Sequence, residues 1–429
     1  MSANRASIYL HVPFCAGRRC DYCDFFSLPV SANNADDSAI MDAFVDAALN
    51  DVKDQLDFFE VTEVPTVYVG GGTPSALGAA RMERLLSGIG ALLNSPSLRP
   101  EEFTVEANLE SADAAFLRVC KDGGVNRISL GVQTFNGESR RLVGRGGGTG
   151  GRDSAQVSRR LALVAGMFPG AFSADLIAGL PLQTADVLAG DVKRLLEFGP
   201  AHVSLYGLVV EPETVLGSLV YGTGGKSGAG GKALCLPTDD EADALWIAGR
   251  DMLENAGLKQ YEVSNFALPG KTCAHNIRYW RMESWIGAGP SASGTLIGES
   301  GTGRRFTYPR DVAGYVSAPR PLIAGYALVE ELSADDLMRE TLLMGFRYRE
   351  GPDRRSFRKR FGRDPETLIP KTVARWRARG FFETGTAAGG NTGTLAPSRE
   401  GLLFVNAFLR DAFAEMDAGD AGIARQGKA

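Results

Sequence analysis

Short β-rich runs alternate with helix-period segments through the first 290 residues of the chain. Segments such as SAIMDAFVDAALNDVKDQLDFF and AARMERLLSGIGALL repeat apolar residues at the helical period. The predicted strands are SIYLHVPF, PTVYVGGG, EFTVEAN, RISLGVQT, FSADLIAGLP and HVSLYGLVV. Alternation of this kind requires parallel strands joined by crossovers. It predicts an α/β fold, a TIM-like barrel that is closed or partial, with functional residues at the carboxyl ends of its strands.

Three of the six cysteines lie within nine positions, in the segment CAGRRCDYC, at Cys15, Cys20 and Cys23. The chain shows no secretory signal and no run long enough for a membrane helix, so we expect a cytoplasmic protein. In a reducing compartment, clustered cysteines hold a metal more often than they form disulfides. No Cys or His follows closely enough to complete a four-ligand zinc site, and His11 is expected to pack within its strand. Three thiolates suit a [4Fe-4S] cluster with one open iron.

This block resembles the cluster loop of radical S-adenosylmethionine (SAM) enzymes. The resemblance implies that SAM chelates the open iron and that a reduced cluster cleaves it to a 5'-deoxyadenosyl radical. The usual spacing is C-x3-C-x2-C, whereas this chain has C-x4-C-x2-C. A surface loop absorbs one extra residue at small entropic cost, and the alternative is a degenerate loop that holds no cluster.

Polar and glycine residues follow the predicted strands where this resemblance places SAM contacts. The segment VGGGTPS follows the second strand, and glycine there permits close backbone approach of a ligand. Carboxylates suit ribose hydroxyls and an ammonium group, and an arginine suits a carboxylate. Each residue taken singly is more typical of a rim ion pair or of core packing. The implied cofactor-binding residues are Tyr9, Tyr22, Gly72, Thr73, Glu106, Gln133, Arg145 and Asp175.

The segment YEVSNFALPGKTCAHNIRYWRMESWIGAGPSA resembles the signature of the HemW-like haem chaperones, in which H-N-x-x-Y-W follows a cysteine. The resemblance implies haem binding by His275, flanked by Tyr279 and Trp280, with Cys273 as the reserve ligand. An imidazole can ligate haem iron, and aromatic rings can pack on a flat macrocycle. The alternative is that these side chains close the open side of the barrel. His202, at a strand start, is expected to be structural.

The related coproporphyrinogen dehydrogenases carry a further cysteine two residues after the third, and this chain has Phe25 there. The chaperone reading predicts stoichiometric haem capture and transfer to an acceptor apoprotein. The enzyme reading predicts oxidative decarboxylation in porphyrin biosynthesis, and a radical SAM enzyme with another substrate is a third reading.

Two departures from the chaperone pattern are GRGGG in place of Gly-Arg-x-His and SASG in place of Ala-His-Ser. The tracts GRGGGTGGRD and YGTGGKSGAGGK are expected to be mobile loops without chemistry.

The amino-acid composition limits the kinds of binding partner that we expect. The net charge of -5 and the pI near 5.5 argue against nucleic acid and leave at most peripheral membrane association. The resemblance implies haem, an acceptor protein and a reducing electron donor such as flavodoxin or ferredoxin. We expect the barrel in residues 1–300, a winged-helix-like, mostly helical domain in 310–415, and a disordered tail in 416–429. The basic run 354–363 is interpreted as a solvated helix face opposite Phe357 and Phe361.

Overall fold

The computed structural model describes residues 4–145, 154–222, 234–384 and 395–426, with side chains described to residue 418. Within these ranges the strands are β1 (Ser7–Val12), β2 (Phe14–Ala16), β3 (Leu28–Val30), β4 (Thr66–Gly71), β5 (Glu102–Asn108), β6 (Arg127–Gln133), β7 (Phe172–Ala178), β8 (His202–Gly207), β9 (Lys259–Gln260), β10 (Asn265–Ala267), β11 (Trp285–Ala288), β12 (Ser293–Ile297), β13 (Gly303–Thr307) and β14 (Leu328–Leu332). All six strands predicted from the sequence are present.

The helices of the described residues are α1 (Ala35–Phe58), α2 (Gly78–Leu92), α3 (Ala114–Asp122), α4 (Gly137–Leu142), α5 (Ser154–Met167), α6 (Ala185–Leu196), α7 (Val215–Tyr221), α8 (Asp239–Asn255), α9 (Ala274–Trp280), α10 (Val312–Ser317), α11 (Ala334–Gly345), α12 (Arg354–Phe361), α13 (Pro370–Ala378) and α14 (Val405–Gln426). Short 3-10 turns span Pro74–Leu77, Pro365–Thr367 and Gly401–Phe404. Side-chain caps begin many of the helices. Thr238 and Glu241 form a reciprocal capping box at the start of α8.

One sheet of twelve strands organises the larger part of the molecule, in the order β14-β13-β12-β11-β1-β4-β5-β6-β7-β8-β10-β9. The run from β11 through β1 and β4 to β8 is parallel throughout. The flanking strands are antiparallel, and no pairing within the described residues joins β14 to β9. The sheet is therefore an open, partial barrel. This confirms the predicted α/β barrel class.

The two faces of the parallel strands differ sharply. Successive side chains point to opposite faces, so odd and even positions separate. The face that packs against the helices is apolar and buried, with Ile8, Leu10, Val12, Val67, Val69, Val105, Ile128, Leu130, Leu176, Val203 and Leu205. The opposite face is polar, and side chains from β4 to β8 on it line a single cavity of about 40 Å³. The sheet must therefore curl around its polar face.

A second core lies in the C-terminal helices. Phe346, Trp376, Phe381 and Phe382 surround Phe408, with the Phe381 and Phe408 rings stacked at 4.4 Å. The basic helix α12 buries Phe357 against Phe361, at 4.7 Å between rings. This agrees with the amphipathic interpretation of the basic run.

Apolar and ionic contacts join the two parts. Met282 and Leu332 pack against Leu337 of α11. Arg399 donates hydrogen bonds to Asp251 and Glu254 on α8.

α14 continues to Gln426, and Met416 is buried in the second core. Residue 416, where the tail is predicted to begin, lies within this helix. Most of the two glycine-rich tracts, 146–153 and 223–233, lies outside the described residues. None of the helices described here is both long and apolar enough to cross a membrane.

Replacing Phe408 with alanine tests the second core. We expect the free energy of unfolding to fall by about 3–5 kcal/mol, because the ring fills the centre of an aromatic cluster. The measurement is urea denaturation followed by tryptophan fluorescence, since Trp376 reports on this core. Phe404→Ala is the matched control, because that ring is 58% exposed and its loss should change stability by about 0.5 kcal/mol or less. Equal effects would contradict the assignment of the core.

Candidate functional site

A cavity of about 470 Å³ opens at the carboxyl end of the parallel strands. In parallel sheets the carboxyl ends of the strands share one edge, which is where ligands bind. The cavity is lined by all three clustered cysteines and most of the predicted cofactor contacts: Cys15, Cys20, Cys23, Tyr22, Gly72, Thr73, Glu106, Gln133, Arg145 and Asp175. The sequence-predicted residues are therefore brought together at one place.

The cysteine loop is held by its own charged residues. It leaves β1 at Val12, and Cys15 lies on β2, which pairs with β3. Arg18, within the longer first spacer, forms an ion pair with Asp21. Arg19 donates from one guanidinium nitrogen to the carbonyl oxygens of Cys23 and Phe25, at 3.0 and 3.1 Å. The extra residue is thus accommodated in an ordered loop, and the cysteines still face the cavity.

The three thiols are partly buried and have polar neighbours. Cys15 Sγ donates to Ser27 Oγ at 3.3 Å, and burial raises the pKa of Cys23 to about 11. No three Cys, His, Asp or Glu side chains in the described ranges are close enough to share a single metal ion. A [4Fe-4S] cube spaces its thiolates more widely, because each sulfur binds a different iron. The three-thiol donor set is that of a cluster with one open iron rather than of a closed zinc site.

The glycine segment after β4 brings backbone close to the cysteine loop. A side chain at Gly72 would place its Cβ 2.6 Å from the Phe14 carbonyl oxygen, so only glycine fits there. The Thr73 amide donates to that same oxygen at 2.7 Å. Thr73 also accepts a hydrogen bond from Asn108 Nδ2, at 2.8 Å. This strand end is therefore fixed by packing before any ligand enters.

Glu106 extends from β5 towards the cavity. Tyr68 donates its hydroxyl to Glu106 Oε1 at 2.6 Å, and the Gly71 amide approaches Oε2 at 3.3 Å. Burial raises the pKa of Glu106 to about 7, and the neighbouring Asp175 adds to the rise. Burial also raises the pKa of Asp175, to about 6. Glu106 accepts hydrogen bonds here from neutral groups, the Tyr68 hydroxyl and the Gly71 amide, so its negative charge is available to a cationic ligand.

Two buried polar atoms at the cavity have no protein partner among the described residues: Gln133 Oε1 and Arg145 Nε. Gln133 also has a positive φ of 69°, next to an irregular register between β6 and β7. Strain of this kind and unpaired buried polar atoms are both costly, and both are typical of ligand sites. Arg145 donates to Cys20 Sγ at 3.4 Å and to Asn108 Oδ1 at 2.7 Å. Its guanidinium therefore touches one thiol of the cysteine loop directly.

Tyr9 behaves differently from the other predicted contacts. It does not line the cavity; it lies below it, stacked on Tyr68 at 6.2 Å and donating to His11 Nδ1 at 3.1 Å. His11 Nε2 donates to the Phe26 carbonyl at 2.9 Å, which confirms that His11 is a packed side chain. Sequence reasoning missed Asn108 and Tyr68. Asn108 had a readable signal, since it is a polar residue at the end of EFTVEAN.

The H-N-x-x-Y-W segment forms α9, which lies at the opposite, amino-terminal edge of the sheet. His275 Nδ1 donates to Thr66 Oγ1 at 2.8 Å, because that hydroxyl itself donates to Ser7. His275 Nε2 accepts from the Tyr279 hydroxyl at 3.0 Å. Thr66 and Ser7 are the first residues of β4 and β1. Burial lowers the pKa of His275 to about 3. α9 is thus the floor of the partial barrel.

The predicted haem ligands His275 and Cys273 already make hydrogen bonds through their candidate ligand atoms in this arrangement. Cys273 is buried, donates to Glu102 Oε1 at 3.2 Å, and has its pKa raised to about 12 by burial. Trp280 packs in a small cluster with Tyr261 and Tyr348. Every ring nitrogen of the chain's three histidines has a hydrogen-bond partner. Ligation of haem by His275 would require α9 to leave the sheet. The geometry favours the alternative in which this segment closes the barrel.

The open parallel sheet, the three-thiol loop at its carboxyl edge and the adjoining polar cavity define a radical SAM protein. The radical SAM superfamily model matches residues 9–190, and the HemN C-terminal domain model matches residues 332–384. The fold resembles coproporphyrinogen III oxidase (HemN) from Escherichia coli, with a TM-score of 0.74, 20% identity, and coverage of 96% of this chain and 90% of that one. At this identity the likeness concerns the fold alone.

Curated relatives narrow the class to one family. Heme chaperone HemW of Escherichia coli (strain K12) is 34% identical over 310 residues, which are 72% of this chain and 75% of that protein. Heme chaperone HemW of Bacillus subtilis (strain 168) is 30% identical over 382 residues, 89% of this chain and 94% of that protein. The chain belongs to the HemW heme chaperone family.

The raised pKa of Glu106 predicts pH-dependent SAM binding. The ionised carboxylate is the form that attracts the SAM ammonium group, so affinity should rise about tenfold from pH 6 to pH 8, through the pKa of about 7. Equilibrium dialysis of SAM against anaerobically reconstituted protein measures this. In Glu106→Gln the affinity should be lower and this rise lost. The same slope in both proteins would contradict the role of Glu106.

His275→Ala tests the floor of the barrel. The substitution leaves Thr66 and Tyr279 without their shared partner in a buried position, so we expect the free energy of unfolding to fall by about 2–4 kcal/mol. Chemical denaturation measures the change. Tyr279→Phe removes only one of the two hydrogen bonds and should cost about half as much. A stability equal to wild type in His275→Ala would show that α9 does not hold the floor.

Proposed function

We propose that this protein is a radical SAM-type haem chaperone, which binds a [4Fe-4S] cluster and SAM at the carboxyl edge of its sheet and passes haem to acceptor proteins. The observation that carries the proposal is the cavity of about 470 Å³ in which the three thiols meet the unpaired Gln133 and Arg145 atoms. We infer haem as the cargo from the family, because the relatives that match most of this chain are heme chaperones.

In this proposal Cys15, Cys20 and Cys23 hold the cluster, which supplies an open iron for SAM when it is bound. Arg145 is placed to stabilise the Cys20 thiolate and to meet the SAM carboxylate with its free Nε. Glu106 and Asp175 offer negative charge to the SAM ammonium and ribose hydroxyls. Gln133 offers an unpaired amide oxygen beside them. Tyr22 and the Gly72–Thr73 backbone complete the walls.

The proposal also covers the partner proteins and the cellular location. A haem-accepting apoprotein receives the cargo, and a reducing donor such as flavodoxin or ferredoxin supplies electrons to the cluster. A cytoplasmic location follows from the clustered thiols, which need a reducing compartment. Both ring nitrogens of His275 are bonded in this structure, so the proposal does not use His275 as the axial ligand of the haem.

Anaerobic reconstitution tests the cofactor half of the proposal. We expect wild-type protein to bind iron and sulfide as one [4Fe-4S] cluster, with a reduced EPR signal that changes when SAM is added. A Cys15→Ser, Cys20→Ser, Cys23→Ser protein should hold no cluster. Cys235→Ser is the control, since that exposed thiol lies outside the loop. An unchanged EPR signal on addition of SAM would overturn the assignment.

The cargo half is tested by comparing two reactions of the reconstituted protein. We expect haem to be captured stoichiometrically, and coproporphyrinogen to remain unconverted under reducing conditions with SAM. Haem titration of His275→Ala shows whether this side chain ligates the haem iron or only packs in the floor of the barrel. Because both ring nitrogens are bonded within the protein, we expect a haem affinity within about twofold of wild type. Conversion of coproporphyrinogen with no haem capture would favour the dehydrogenase reading and reject the chaperone.

A further inference from the structure

Arg140 is a cation that lies wholly inside the protein. It belongs to α4, the short helix that follows β6, and its side chain has no exposed surface. It is not among the described residues that line the cofactor cavity. A buried guanidinium is costly unless hydrogen bonds replace its lost water. The groups that supply those bonds therefore indicate what Arg140 does.

The partners of Arg140 lie on both sides of Gln133. Its Nη1 donates to the Val132 carbonyl oxygen at 2.7 Å and approaches the Thr134 carbonyl oxygen at 3.4 Å. Its Nη2 donates to Glu110 Oε1 at 2.8 Å, which forms an ion pair. Val132 and Thr134 are the residues directly before and after Gln133. The guanidinium thus holds the backbone on each side of this one residue.

The backbone at Gln133 is strained. The Thr134 amide donates to the Val132 carbonyl oxygen at 2.9 Å, and Gln133 between them has a φ of 69°. A hydrogen bond from residue i+2 to residue i at positive φ is the rare form of the γ-turn. The register also advances here by two residues on β6 for one on β7, as in a β-bulge that redirects a side chain. Strain of this kind persists only where the surrounding contacts impose it.

Asp191 of α6 holds the residues that follow Gln133. The Thr134 hydroxyl donates to Asp191 Oδ2 at 2.6 Å, and the Phe135 amide donates to Asp191 Oδ1 at 2.8 Å. We call Arg140 and Asp191 the turn clamp. The clamped turn places Gln133 at the cavity with its Oε1 buried and without a partner among the described residues. A buried acceptor in that state needs a donor from a ligand.

We propose that Arg140 is a positioning residue for SAM: it holds the strained turn, and the turn presents the Gln133 amide oxygen to the cofactor. This inference rests on the proposed function and adds a residue that acts from outside the cavity. An apolar side chain could fill the same buried volume, but it could not bind the two carbonyl oxygens that flank Gln133. Loss of Arg140 therefore lets the turn relax and turns the amide oxygen away from SAM.

A double-mutant cycle tests whether Arg140 acts through Gln133. Anaerobic equilibrium dialysis measures the affinity of labelled SAM for reconstituted wild type, Arg140→Met, Gln133→Ala and the double variant, with the iron content of each protein measured alongside. We expect each single substitution to weaken SAM binding by about tenfold. The double variant should bind within about twofold of Gln133→Ala, because the two residues contribute one interaction. Losses that multiply would overturn the positioning role.

Three further variants control for folding and charge. Arg140→Lys keeps a donor for the carbonyl oxygens and should bind SAM within about threefold of wild type. Arg141→Met removes the next cation of α4, which pairs with Glu138, and should change the affinity by about twofold or less. Glu110→Ala replaces Arg140→Met in the cycle if that protein does not fold. Its carboxylate is 26% exposed, so its loss should weaken SAM binding about threefold, and only when Gln133 is present.

Hydrogen exchange of the cluster-free protein supplies a readout that needs no ligand. In Arg140→Met we expect the backbone amides of residues 132–135 to exchange faster than in wild type, because the turn has lost its clamp. Amides of β8 (His202–Gly207) should exchange at the wild-type rate. Equally faster exchange in both segments would show general destabilisation and would also overturn the positioning role.

The outcomes separate this inference from the proposed function. Wild-type protein that binds no SAM would reject the cofactor half of the proposed function, and with it any role of Arg140 in SAM binding. Wild-type protein that binds SAM, with full affinity kept in Arg140→Met, would overturn the role of Arg140 and leave the proposed function standing.

Discussion

Polar side chains on the concave face of the parallel sheet cannot reach bulk water, and each needs a partner inside the protein. The rest of the architecture follows from this requirement. At the amino-terminal edge the partners come from α9, where Glu102 accepts hydrogen bonds from the backbone amides of Ala274 and His275 and from the Cys273 thiol. Unpaired buried atoms remain at both edges of the described structure: Arg278 Nε and Trp280 Nε1 on α9, and Gln133 Oε1 and Arg145 Nε at the carboxyl edge. Gln133 and Arg145 differ from the α9 pair in that they line the cavity that the three thiols also line.

The cysteine loop of this chain accommodates one more residue than the usual radical SAM spacing. One more residue separates Cys15 from Cys20 than is usual in radical SAM loops, and the loop remains ordered. Arg18 pairs with Asp21, and Arg19 holds the following turn through two carbonyls. A shorter spacer would restrict the loop by its length. In this chain the contacts of Arg18 and Arg19 restrict the longer loop instead. All three thiols line one cavity despite the longer spacer.

Much of this molecule was predictable from its sequence, for physical reasons that differ between regions. All six barrel strands could be located because alternation sorts their side chains onto two faces, as Ile8 and Tyr9 illustrate. That Gly72 and Glu106 share one cavity was predictable because the carboxyl ends of parallel strands meet at one edge of the sheet. The location of His275 was not predictable, since its partners Thr66 and Tyr279 meet it only through tertiary packing. The position of Tyr9 depends on packing in the same way, because its ring stacks on Tyr68 below the cavity.

α9 closes the amino-terminal end of the partial barrel, and the cavity that the three thiols line opens at the other end. The two ends place different demands on the sequence. Residues of the floor must fit one another, as His275, Thr66 and Tyr279 do, whereas polar atoms at the carboxyl edge stay available to a ligand. A substitution in the floor therefore reaches the thiols only through the sheet that joins the two ends.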